Sequence, residues 1–270
     1  MAAGTLILVG CGQMGSAMLR GWVTGGAALQ FIAVEPAGAP ASLSPAPEIS
    51  FCKNASELPD GLAPDAVVFA VKPQVIDDVV PAYRRWARPG TVFLSIAAGT
   101  TIAKLTRHLG DAAAIVRAMP NTPAAIGRAI SVACPNANVS PAQRELCEGL
   151  LAAIGDSTWV ADEALMDAVT AVSGSGPAYV FLLIEALAAA GVKSGLPEEL
   201  AMRLAKATVS GSGELARLSA EPPSRLRENV TSPGGTTRAA LDVLMADDGM
   251  QPLFDRAIAS ATRRSRELAS

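Results

Sequence analysis

The stretch with the most chemistry in it lies late in the chain, at Ser232-Pro233-Gly234-Gly235-Thr236-Thr237. Pro233 stops whatever precedes it. Gly234 and Gly235 let the backbone take positive φ and come close to a ligand. Thr236 and Thr237 stand where an N-cap is expected, ahead of the helical pattern Ala240, Leu241, Leu244, Met245. Glycine amides and two hydroxyls in front of a helix make a site for a small anion such as a carboxylate.

The opposite end of the chain carries Gly10-Cys11-Gly12-Gln13-Met14-Gly15. This GxGxxG follows a strand-like run, Thr5-Leu6-Ile7-Leu8-Val9, and opens a helical pattern at Met18, Leu19, Trp22 and Val23. That context marks a dinucleotide fingerprint. Gly10 allows the tight turn, Gly12 lets the pyrophosphate approach the backbone, and Gly15 lets helix and strand pack closely. Glu35 ends the next strand-like run about 20 residues on, where an acid accepts hydrogen bonds from the adenosine ribose hydroxyls and repels a 2′-phosphate. The next basic residue is Lys53, so this reading favours NADH. Lys72 and Pro73 follow the Ala66–Val71 run, at the strand end that faces the cofactor crevice. In Met119-Pro120-Asn121-Thr122-Pro123 two prolines make the segment rigid, and Asn121 offers donor and acceptor to a carboxamide.

These residues need a scaffold, and the hydrophobic pattern supplies one. Apolar runs at residues 5–9, 31–34, 66–71, 91–94 and 114–116 alternate with helical stretches. They predict a Rossmann-type α/β domain, a parallel sheet covered on both faces, over residues 1–161. Residues 36–47, rich in Pro, Ala, Gly and Ser, read as an irregular loop. From residue 162 to 270 only helices are expected: one or two over 164–192, one over 198–219 and shorter ones near 223–230, 237–246 and 251–268. Tyr179, Leu182, Leu183, Ala186, Leu187 and Ala190 repeat at three and four, and small apolar residues cover much of the remaining surface. A helix apolar nearly all round needs cover from several sides, which predicts a subunit interface and at least a homodimer.

Bulk properties narrow the class. A net charge of −3 gives no basic surface for nucleic acid. The basic tail Arg263-Arg264-Ser265-Arg266 reads as a solvated helix end. The apolar run Val180–Val192, interrupted by Glu185, is too short to span a bilayer. Cys11, Cys52, Cys134 and Cys147 form no CxxC pair, so they read as reduced thiols in a cytoplasmic protein, with no metal site. Cys11, in the phosphate loop, reads as a small filler whose pKa the helix N-terminus could lower. His108, the only histidine, precedes Gly110 at a helix end, where it caps carbonyls.

Five blocks in order carry a resemblance: Ala70-Val71-Lys72-Pro73-Gln74, Ser95-Ile96-Ala97-Ala98-Gly99, Arg117 through Pro123, Ala171 through Tyr179, and Leu226 through Leu241. Together they are similar to the pyrroline-5-carboxylate reductase family, from about residue 5 to the C-terminus. The resemblance implies reduction of 1-pyrroline-5-carboxylate to proline by hydride transfer to the C=N carbon. It implies substrate contacts from Ser232, Gly234, Gly235, Thr236 and Thr237, with Thr237 on the ring nitrogen. It implies cofactor contacts from residues 10–15, Glu35, Val71, Lys72, Pro73, Ala97, Ala98, Gly99, Met119, Pro120 and Asn121, the segment 119–121 lying by the nicotinamide. The turn from Ser173 to Pro177 would close over the active site. The family more often prefers NADPH, with hydroxyl or basic groups where this chain has Glu35, and often has alanine in place of Gly15. Larger rings of dimers are common in it. Two other readings stand beside this one. A β-hydroxyacid dehydrogenase would carry a lysine on the helix after the glycine-rich turn, but Tyr179–Ala190 holds none. A non-catalytic NAD(P) sensor would need no carboxylate cradle.

Overall fold

A computed structural model describes residues 3–41, 43 and 46–269. Contacts divide the chain into two compact units, Met1–Gly174 with Ala261–Ser270, and Ser175–Ser260.

Among the described residues the first unit is built on eight strands: β1 (Ala3–Val9), β2 (Ala28–Val34), β3 (Ile49–Cys52), β4 (Ala66–Phe69), β5 (Val92–Ser95), β6 (Ala114–Met119), β7 (Ala129–Pro135) and β8 (Gly155–Trp159). They lie in the order β3-β2-β1-β4-β5-β6-β7-β8. The side chains of β1 explain why it sits inside the sheet and not at an edge. Leu6 and Leu8 join Met18, Leu19, Trp22 and Leu150 on one face, while Ile7 and Val9 join Phe69, Tyr83, Trp86 and Leu105 on the other. Each such side chain contributes about 1.5–3 kcal/mol on burial. The two large indoles satisfy their N–H groups at carbonyls, Trp22 at Leu150 (2.8 Å) and Trp86 at Leu62 (3.0 Å).

The sheet departs from the all-parallel expectation at one pair: β6 and β7 run antiparallel. The segment between them holds only a short 3-10 turn, Thr122–Ile126. Without a crossover helix the chain returns antiparallel. Of the loop expected at 36–47, the described part is turns around Gly38, and Ser42, Ser44 and Pro45 lie outside the described residues.

The helices are α1 (Gln13–Gly25), α2 (Ile76–Val79), α3 (Ile102–Leu109), α4 (Pro141–Ala152), α5 (Met166–Val169), α6 (Gly176–Lys193), α7 (Glu198–Leu218), α8 (Pro223–Asn229), α9 (Thr236–Leu244) and α10 (Met250–Ala269). Of the one or two helices expected over 164–192 the structure has two: a π-helical turn, Thr170–Gly174, separates the short α5 from α6.

In the second unit, α6 and α7 pack through small residues. Ala188, Ala201 and Ala205 are buried, and a Cβ at Gly191 would lie 3.3 Å from that of Ala201. Little else is covered. Phe181, Leu182 and Leu218 are 59%, 63% and 67% exposed. Helical structure from Glu163 to Lys193 is long and apolar enough to cross a membrane by length and composition, and only Met166, Ala171 and Ala188 of it are buried in the single chain. That exceeds the short run seen in the sequence, because the turns before Val180 add apolar length.

Candidate functional site

The phosphate loop assigns different tasks to its glycines. Gly10 has φ +90°, and a Cβ there would lie 2.8 Å from the Ala70 carbonyl oxygen and from Val71 Cγ1. A Cβ on Gly15 would overlap the Gly10 carbonyl. Gly12 has nothing within 4 Å of where its Cβ would be. Two glycines are therefore required by the fold, and the third fronts open space. Gly12 is also the N-cap of α1, with no side-chain cap and no acid in the first turn. The N–H groups of that turn and the positive end of the helix dipole are left for an anion. The site fits a dinucleotide pyrophosphate.

Glu35 is tied to this loop. Its carboxylate accepts from the Cys11 N–H (2.7 Å) and the Ala37 N–H (3.2 Å). A carboxylate has about four acceptor positions, so room for ribose hydroxyls remains. The Cys11 N–H, however, is committed to Glu35 and not to a phosphate. The Cys11 side chain is buried, and burial pushes its thiol up, outweighing the Ser16 hydrogen bond that pulls it down. The sequence expectation of a lowered pKa is thus corrected: desolvation wins over the helix N-terminus. All four cysteines are free, and burial raises each of them, Cys147 to about 12. At pH 8 a disulfide-type thiol reagent should leave Cys11 unlabelled in the native protein and react with all four cysteines after denaturation. Rapid native labelling of Cys11 would contradict this.

Val71, Lys72 and Pro73 follow β4, with Lys72 exposed. Ala97 is buried after β5. Gly99, with φ +71°, is packed by the chain's C-terminal turn, since its Cβ would lie 3.2 Å from that of Leu268. Pro120 and Asn121 are buried after β6 and Met119 is half-buried. The Asn121 amide proves to be engaged: Nδ2 donates to the Ser173 carbonyl (3.2 Å) and Oδ1 accepts from the Ile130 N–H (3.0 Å). One N–H and the second lone pair of Oδ1 are left for a carboxamide contact.

In the second unit, the Gly235 N–H bonds the Ser232 carbonyl at 3.1 Å, and Gly234 between them has φ +68°. This is the pattern of a type II turn, with proline at its second position and glycine at its third. It places Gly235 as the N-cap of α9, with no side-chain cap and no acid in the first turn. The expectation that a threonine caps this helix is corrected: Thr236 and Thr237 are its first two residues. Their amides and that of Arg238 are the donors left over, because the Ala239 N–H already bonds the Gly235 carbonyl (3.2 Å). Thr236 is exposed and Thr237 half-buried.

His108 does not cap carbonyls. Its Nε2 lies 2.9 Å from Asp77 Oδ1, and Lys104 Nζ lies 2.9 Å from the other oxygen. Lys104 first, then His108, holds the Asp77 carboxyl below the usual range. The acid partner is 31 residues away in sequence and could not be paired with His108 by spacing. Sequence reasoning also missed Arg117, which is buried and donates to Glu163 at 2.8 Å. The same carboxylate oxygen accepts the Ile102 N–H opening α3. No cluster of three metal-ligand residues occurs among the described residues.

A doubly wound sheet with an uncapped phosphate loop, followed by a helical unit with a second uncapped, glycine-fronted helix, defines a pyridine-nucleotide oxidoreductase. Comparison with known proteins carries this further. Residues 163–268 match the model for pyrroline-5-carboxylate reductase dimerisation, and residues 5–99 that for NADP oxidoreductase, coenzyme F420-dependent. The chain is 40% identical to the pyrroline-5-carboxylate reductase of Pseudomonas aeruginosa, over 100% of this chain and 98% of that one. A solved pyrroline-5-carboxylate reductase from Coxiella burnetii superposes with a TM-score of 0.87 at 30% identity, covering 98% of both chains. That of Plasmodium falciparum, solved with NADP bound, gives 0.81 at 30% identity, again over 98% of both. The chain belongs to the pyrroline-5-carboxylate reductase family.

Proposed function

We infer that this chain reduces 1-pyrroline-5-carboxylate to L-proline with NADH or NADPH. The observation that carries the reading is 40% identity to a pyrroline-5-carboxylate reductase over an alignment that spans the whole chain.

Residues 10–15 and Glu35 hold the cofactor's pyrophosphate and ribose, and the segments after β4, β5 and β6 serve its nicotinamide end. When bound, the reduced nicotinamide supplies the hydride. The rest is orientation. The amides of Thr236, Thr237 and Arg238, helped by the turn through Ser232, Gly234 and Gly235, hold the substrate carboxylate. The Thr237 hydroxyl hydrogen-bonds the ring nitrogen. A threonine hydroxyl is no free-standing acid, so the substrate enters as the iminium or takes its proton through water. His108, paired to Asp77, is not required. Thr237→Ala should lower kcat/KM about 2- to 10-fold, the loss of a hydrogen bond worth roughly 0.5–1.5 kcal/mol. Unchanged kinetics in the folded variant would remove Thr237 from this role.

The alternative, oxidation of a β-hydroxyacid, needs a base for the hydroxyl proton. Product analysis separates the two. Proline should form from pyrroline-5-carboxylate, and β-hydroxyacids with NAD or NADP should give no turnover.

The exposed apolar faces of α6 and α7 support a homo-oligomer. A Cβ placed on Gly211 or Gly213, inside α7, would meet nothing within 4 Å beyond the helix's own backbone in the single chain, which leaves room for a second one. Light scattering at micromolar protein should give at least the dimer mass, and a monomer mass would contradict it. We place the protein in the cytoplasm, as a soluble enzyme with its thiols reduced.

A further inference from the structure

The chain leaves its first unit through the π-helical turn Thr170–Gly174. A π-turn shifts the hydrogen-bond ladder by one residue and is often found at functional positions. Three side-chain hydrogen bonds tie the turn down, two of them to carbonyls of α5 and one to a carbonyl of its own. Thr170 Oγ1 donates to Met166 O (2.8 Å) and Ser173 Oγ to Val169 O (3.0 Å), both back-bonds within the helix. The third comes from outside: Asn121 Nδ2 donates to Ser173 O. Asn121 is only 9% exposed, and its Oδ1 is fixed in turn by the Ile130 N–H of β7. Next to it, Gly174 lies so close to Met119 that any Cβ would overlap Met119 Cε. The end of β6 and the residue Asn121 beyond it thus meet the π-turn at two adjacent points, one a hydrogen bond and one a close contact with the Met119 side chain.

We propose that Asn121 is a positioning residue: its amide locks the π-turn to the Met119–Asn121 segment and so holds that segment in place at the ligand end of β6. Ligands bind beyond the carboxyl ends of the strands in such sheets; Met119 ends β6, and Pro120 and Asn121 are the first residues past it. The lock acts on the segment's placement, not on affinity for the pyrophosphate, which belongs to residues 10–15. The inference rests on the reductase reading for its kinetic consequence but not for the lock itself.

Asn121→Asp is the informative variant. Aspartate keeps the acceptor for Ile130 N–H, but when ionised it cannot donate to Ser173 O and repels it. When protonated it can donate. At pH 8, kcat for pyrroline-5-carboxylate should fall tenfold or more, while NADH and NADPH dissociation constants, read by fluorescence titration, stay within threefold. As pH is lowered towards 6, the variant's kcat should recover relative to the unmodified enzyme's, because a buried carboxyl beside a carbonyl takes up its proton readily. Asn121→Ala should show the same loss with no recovery. Amide hydrogen exchange over residues 170–178 should be faster in both variants. Unchanged kcat with unchanged exchange would overturn the proposal. So would a tenfold weaker cofactor with normal exchange, which would make Asn121 a direct ligand. Should the unmodified enzyme not turn over this substrate, the reductase reading falls and the exchange measurement still decides the lock.

Discussion

Gly12→Ala should abolish most cofactor affinity without harming the fold, whereas Gly10→Ala should harm the fold itself. At Gly12 the backbone is extended, with φ −68° and ψ −160°, and the added methyl meets open space. Nothing in the protein opposes it. A pyrophosphate drawn against the first turn of α1 would meet it directly. NAD(P)H dissociation constants should rise at least tenfold, which is about 1.4 kcal/mol, with Tm nearly unchanged. At Gly10 an alanine must adopt φ +90° and press on Ala70 O and Val71 Cγ1, each 2.8 Å away. Such crowding costs roughly 1–3 kcal/mol, and each kcal/mol lowers Tm by about 2–4 °C in a chain of this size. Calorimetry and fluorescence titration on both variants test the contrast. Normal NAD(P)H binding by Gly12→Ala would show that the pyrophosphate does not approach there.

Cofactor choice should follow Glu35: NADH is expected to be used at least as well as NADPH, and Glu35→Ser should move the ratio towards NADPH. The carboxylate is not free to swing away, because the amides of Cys11 and Ala37 hold its two oxygens. The turn behind it is closed as well, by Glu35 N–H to Cys52 O and Gly38 N–H to Glu35 O, both 2.9 Å. A 2′-phosphate would have to sit against a fixed negative charge. At an effective dielectric of about 20, two unit charges some 4 Å apart repel by about 4 kcal/mol. Solvent at the adenosine end screens part of that. Serine at position 35 removes the charge but also the Cys11 N–H partner, so KM should rise for both cofactors while their ratio shifts. A kcat/KM for NADPH more than tenfold above that for NADH in the unmodified enzyme would refute the Glu35 argument.

Much of this was legible from residue patterns because it depends on local rules. The run Leu6–Val9 ends in glycine, and both its faces are buried in the sheet. Gly10, Gly12 and Gly15 stand at the spacing that the turn, the anion and the helix packing require. What stayed hidden depends on pairing across the chain. β3 is four residues at a sheet edge, and β8, Gly-Asp-Ser-Thr-Trp, is too polar to read as a buried strand. The antiparallel return of β7 follows from the short link before it, which composition does not reveal. Thr236 and Thr237 look like caps in sequence, but the turn closed by Ser232 and Gly235 starts the helix at Gly235. Asn121 reads as a cofactor contact from its versatile amide; that the same amide also bridges Ser173 and Ile130 depends on the fold. Asp77, on α2, meets His108, on α3, only through the tertiary fold.

The most direct test of the central claim is the oxidation of reduced nicotinamide by purified protein given 1-pyrroline-5-carboxylate, with NADH and NADPH in parallel and proline measured at the end. Substrate-dependent loss of reduced cofactor, matched mole for mole by proline, is the predicted result. No proline with either cofactor, from folded protein that demonstrably binds them, would contradict the assignment.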